Sequence, residues 1–189
     1  MSYETDYRVG DYGDWSADHH ESPSAEVEER YLREMHLEAE IEAEAETPHT
    51  LRDPLTVGRF LLAGNAIFTL RSRKTGSRYT YRVSHKKGGD VSFVSLLVGS
   101  DNTRDYAYMG LLPDDKPTSL RGVGKGKSCA SYDAPSAKAF QYLLDSIAKG
   151  QIPEALEVWH EGRCGRCGRK LTVPESIETG LGPECADKV

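Results

Sequence analysis

Three of the chain's four cysteines fall in one C-terminal stretch, Cys164-Gly-Arg-Cys167-Gly-Arg followed by Gly182-Pro-Glu-Cys185. No other feature restricts the fold as much. The Cys-x-x-Cys pair flanks a tight turn whose glycines let backbone N–H groups point at sulfur. Gly182-Pro183 reads as a helix start with proline at the first helical position. Cys185 then falls in the first helical turn, where the dipole favours a thiolate. A knuckle and a helix N-terminus together make a treble-clef-like frame for zinc.

Tetrahedral zinc needs a fourth donor. His160, in the strand-like run Val158-Trp159-His160, is the leading candidate. Cys129 is the alternative, but its segment shows no knuckle geometry. Glu161, Asp187 and a donor from a partner stay open. A site with three protein ligands and one open position would suggest catalytic zinc. The sequence disfavours that reading, because no acid/base residues cluster around the motif. A lone Cys-x-x-Cys also serves as a redox pair, and the third cysteine behind Gly-Pro favours metal. The expected set is therefore His160, Cys164, Cys167 and Cys185 around one structural Zn2+, with metal binding and folding of the module coupled.

The stretch Cys164-Gly-Arg-Cys167-Gly168-Arg169-Lys-Leu171-Thr172-Val-Pro174-Glu-Ser176-Ile177, continued by Gly180, Gly182, Pro183 and Cys185, resembles a short module common in bacteriophage and actinobacterial proteins. That module is a family of unknown function, and the likeness covers about the last thirty residues. The runs starting at Phe60 and at Lys74 resemble the segment that often precedes it in phage proteins. The resemblance implies a zinc-binding accessory protein of phage type and supplies no activity.

Charge divides the chain unevenly. Residues 1–50 carry fifteen acidic and three basic side chains, and residues 51–127 carry fourteen basic and six acidic. The basic middle suits an anionic partner, and the acidic front would repel, screen or imitate one. No apolar run approaches transmembrane length. The start lacks the basic and apolar regions of a signal peptide. Cysteine usage fits a reducing cytoplasm better than a disulfide framework.

The expected class is α+β, in four parts. Residues 1–21 form a disordered acidic tail. Residues 22–50 hold an acidic amphipathic helix that starts at Ser22-Pro23, carries the apolar stripe Val27, Tyr31, Leu32 and Met35, and stops at Thr47-Pro48. It reads as a solvated helix whose front half packs on the domain, or more sharply as an acidic surface resembling a DNA phosphate track. Residues 51–150 form a basic antiparallel sheet with one packing helix, and residues 151–189 form the zinc module. Within the sheet, Leu55–Leu62, Asn65–Arg71, Arg78–Val83, Val91–Val98 and Asp105–Met109 read as strands, with Val91–Val98 the most buried. Tyr79, Tyr81 and Val83 alternate onto one face and Arg78, Thr80 and Arg82 onto the other. Residues 135–149 read as a helix stopped by Gly150.

Gly122-Val-Gly-Lys-Gly-Lys-Ser128 lacks the spacing of a phosphate-binding loop and has no buried strand before it. It reads as a basic loop. Together with Arg71, Arg73, Lys74, Arg78, Arg82, Lys86 and Lys87, the loop residues Lys125 and Lys127 form a candidate nucleic-acid surface. The alternation makes Tyr79 and Tyr81 core residues, which leaves phosphate contact rather than base stacking. No nucleophile triad, paired carboxylates or HExxH is present, so no enzyme is expected. The second reading is an interaction factor that binds a host protein, through the acidic arm.

Overall fold

The computed structural model describes residues 25–45 and 49–189. The expected tail, the helix start at Ser22-Pro23 and its stop at Thr47-Pro48 lie outside the described residues. The chain divides into two units, Met1–Ala45 and Glu46–Val189. In the first, α1 (Ala25–Ala45) is a single helix with glutamates in its first turn. Glu29 and Arg33, one helical turn apart, form an exposed ion pair at 3.5 Å. Val27, Tyr31, Leu32 and Met35 are all exposed.

The second unit is a six-stranded sheet in the order β1-β6-β2-β3-β4-β5. Its strands are β1 (Thr50–Leu51), β2 (Asn65–Ser72), β3 (Arg78–His85), β4 (Val91–Leu97), β5 (Tyr106–Pro113) and β6 (Leu156–His160). Every pairing is antiparallel. Two-residue alternation decides the faces. Ala66, Phe68, Leu70, Tyr81, Val83 and Val158 point inward and are buried. The helices α2 (Pro54–Leu62) and α3 (Pro135–Ala148) cover that side. Phe140 of α3 lies against both Tyr81 and Phe68, at ring separations of 5.0 and 6.1 Å. The Tyr81 hydroxyl, whose burial holds its pKa far above the usual phenol, donates to the Ser136 carbonyl at 2.7 Å.

The run Leu55–Leu62 is a helix, not the expected strand. Asp53 accepts a 2.7 Å hydrogen bond from the Thr56 N–H and Pro54 takes the first helical position, a complete start signal. Val57, Phe60 and Leu61 then recur at helical spacing and are buried. β4 is less buried than its composition implies. Only Ser92 and Val94 are enclosed, because Phe93 and Ser95 face the side opposite α2 and α3. A bulge at Val94/Ser95 lets Met109 of β5 enter the core. The glycine-rich segment 122–128 is a run of turns, as expected of a loop.

Candidate metal centre and the outer sheet face

After β6 the chain enters the knuckle. Cys164 N–H donates to the Arg169 carbonyl, Gly168 N–H to the Cys164 carbonyl and Leu171 N–H to the Gly162 carbonyl, each at 2.8–2.9 Å. These bonds fold the turn around the Cys-x-x-Cys pair. Two short helices follow, α4 (Pro174–Thr179) and α5 (Pro183–Ala186). α5 carries Cys185 to the pair, so the sulfurs of Cys164, Cys167 and Cys185 lie within 4.8 Å of one another. The module seats on Phe60. A Cβ on Gly165 or Gly180 would come within 2.7 or 2.5 Å of that ring, and Gly180 also has φ +68°. Arg59 of α2 donates to the Ala186 carbonyl, tying the other end down.

The donor set fits a soft, tetrahedral ion. Burial raises the Cys164 thiol, but the N–H groups of Cys167, Gly182 and Arg166 outweigh it and bring the pKa down to about 7. One of these contacts is the Gly182 N–H, 3.4 Å from Sγ. Cys185 moves the other way, to about 11, through burial and then through the neighbouring Cys167 and Cys164 sulfurs. Protein groups alone thus hold one thiolate readily and resist a second beside it. A divalent cation removes that conflict by attracting all three.

The structure does not bring His160 into the sulfur cluster. The ring is buried, and burial lowers its pKa to about 4. Nε2 lies 2.8 Å from the Ile177 carbonyl, to which it donates, and Nδ1 accepts from the Gly162 N–H at 3.2 Å. Both nitrogens are engaged, so His160 clasps β6, the knuckle and α4 together. Cys129 is exposed elsewhere, with Sγ 3.6 Å from the Ala107 carbonyl. Glu161 and Asp187 are exposed and outside the cluster.

The outward face of the sheet gathers part of the basic set. Arg71 and Arg78 are cross-strand partners, and Arg82 lies further along β3. The Arg82 guanidinium sits 3.9 Å over the Tyr106 ring and donates to the Thr103 carbonyl at 3.1 Å. Arg71 and Arg73 pair with Glu157 at 3.6 and 2.6 Å, and the hydrogen bond from Arg73 leads the causes that hold the Glu157 carboxyl below its usual range. Lys74 lies in the turn after β2, Lys86 and Lys87 in the turn after β3, and Lys125 and Lys127 in the glycine loop. These five are exposed and lie in turns, not on the strands that carry Arg71, Arg78 and Arg82. Phe93, Tyr106, Tyr108 and Trp159 share the arginine face, since Ser95 pairs with both Arg82 and Tyr108, and Thr69 with Trp159. Tyr79 and Tyr81 lie on the inner side, as the alternation implied. The outer aromatics went unrecognised because their positions depend on strand pairing.

A family model described as a family of unknown function (DUF6011) matches residues 155–189. That stretch holds β6, the knuckle and both short helices. No curated protein and no solved structure matches the chain. Among the described residues no helix is long and apolar enough to cross a membrane.

Proposed function

We propose that the protein is a phage-type accessory factor, acting in a host cytoplasm, that carries a zinc-stabilised C-terminal module and binds single-stranded nucleic acid on the outer sheet face. One observation carries the nucleic-acid reading. Arg82, held over Tyr106 and fixed by Thr103, shares a face with Arg71, Arg78, Tyr108 and Trp159. Rings on an uncovered sheet stack with bases, and guanidinium groups hold the backbone. A depression of about 700 Å³ beside Arg82, lined also by Asn65, Asn102 and Arg163, gives polar groups for base edges. The three thiolates favour zinc over hard cations.

The test is fluorescence anisotropy with labelled single-stranded DNA, single-stranded RNA and duplex, across a salt series. Binding to single strands should weaken linearly in log salt. Trp159→Ala should weaken it about tenfold or more, the scale of one lost stack. Deleting residues 1–50 removes a net charge of −12 and leaves +6, and should tighten it. No binding at low salt by either the full-length or the truncated chain would reject this reading.

The exposed Val27, Tyr31, Leu32 and Met35 stripe on the acidic helix supports the second reading, a host-protein partner for α1. Capture of one host protein by the chain, lost on Tyr31→Ser and Leu32→Ser, would favour it.

A further inference from the structure

The sulfur cluster supplies three of the four donors that a tetrahedral ion takes. Among the described residues, no other histidine, cysteine, aspartate or glutamate joins Cys164, Cys167 and Cys185. His160 spends both ring nitrogens on Ile177 and Gly162. Cys129 directs its sulfur at Ala107. All three clustered cysteines instead line one surface cavity of about 220 Å³. Its walls also include Arg169, Lys170, Thr172, Ser176 and Glu184. A divalent ion with three thiolates carries net charge −1 and Glu184 adds another, while Arg169 and Lys170 balance both, so a small monoanion would enter a site close to neutral.

We propose that the ion is held by the three thiolates and that its fourth position opens onto this cavity, where it takes an exchangeable small anion with a soft donor atom. The proposal rests on the reading that the cysteines bind metal. Exchange needs no redox step, because water leaves as the anion's lone pair enters. Arg169 and Lys170 supply the charge preference, while Thr172 and Ser176 offer hydroxyl donors. An accessible position of this kind distinguishes a ligand-binding metal from a closed structural one.

The test loads the full-length chain with Co2+ and titrates it with thiocyanate at constant ionic strength, using perchlorate as the balancing salt. A sulfur-to-cobalt charge-transfer band should be present and should persist. The d–d bands should shift saturably with one thiocyanate per cobalt. Arg169→Gln and Lys170→Gln should each weaken the titration about threefold, the scale of a partly exposed charge contact. Glu184→Gln should leave the thiocyanate-free spectrum unchanged. A charge-transfer band with d–d bands that ignore thiocyanate would overturn the open position alone. A changed starting spectrum in Glu184→Gln would do the same, by revealing a fourth protein donor. No charge-transfer band at all would overturn the metal reading and this proposal with it.

Discussion

The sheet and the C-terminal module bury apolar surface on different scales. Under the sheet, nineteen buried residues form one core, with Phe60, Phe68, Tyr81 and Phe140 at its centre. The module's small core has three buried residues of its own, Cys164, Leu171 and Leu181, closed by Ala63 at the end of α2, and one of the three is a candidate ligand. A buried leucine contributes about 1.5–3 kcal/mol, while each ordered residue costs about 1–2 kcal/mol in backbone entropy. The sheet can stand on its own core, and the module needs another source of order. A metal ion on the clustered sulfurs would supply it. Phe60 joins the two regions, since it lies in the large core and also receives Gly165 and Gly180.

Metal removal should separate the two regions most sharply. Structural zinc contributes about 10–16 kcal/mol in small domains near neutral pH. Chelation should therefore abolish amide-exchange protection in residues 162–189 while β2, β3 and β4 stay protected. Uniform loss across both regions would break the distinction. Phe60→Ala comes next, at about 3–5 kcal/mol. It should lower both the urea midpoint of the sheet and the metal affinity of the module, because the ring serves both. An effect on the sheet alone would show that the module does not rest on Phe60.

The third prediction concerns His160. Its imidazole is held neutral by burial, with a pKa near 4 against an ordinary value of 6.5. As pH falls, the unfolded chain takes up this proton before the folded one does. Stability therefore falls progressively between about pH 6.5 and pH 4, by roughly 3 kcal/mol in all, with no contribution to the slope above that window. Urea midpoints at pH 7 and pH 5 should drop more steeply for the wild type than for His160→Gln. Equal drops would remove His160 from its role as clasp. The smallest effect is Tyr81→Phe, which leaves the Ser136 carbonyl without its donor and should cost about 1 kcal/mol. It should affect the sheet and leave metal affinity unchanged.

Local signals in the chain revealed much of this architecture. The alternation of Arg78–Val83, the helix stopped at Gly150 and the cysteine spacing all correspond to observed elements. Leu55–Leu62 was misread because its β-favouring composition masked the Asp53-Pro54 cap. The aromatic outer face was hidden for a different reason. Arg82 and Tyr106 meet only through the pairing of β3, β4 and β5, and no local pattern encodes that register. His160 was expected at the metal from its spacing to Cys164. Its two hydrogen bonds, to Gly162 and to α4, depend on how the chain returns after the knuckle.

The central claim is that Cys164, Cys167 and Cys185 hold one zinc ion that orders the module. Elemental analysis of the full-length protein purified without chelator tests it directly. The expected result is one zinc per chain, lost in each of Cys164→Ser, Cys167→Ser and Cys185→Ser but retained in Cys129→Ser. Metal-free protein with an intact, exchange-protected C-terminal module would contradict it.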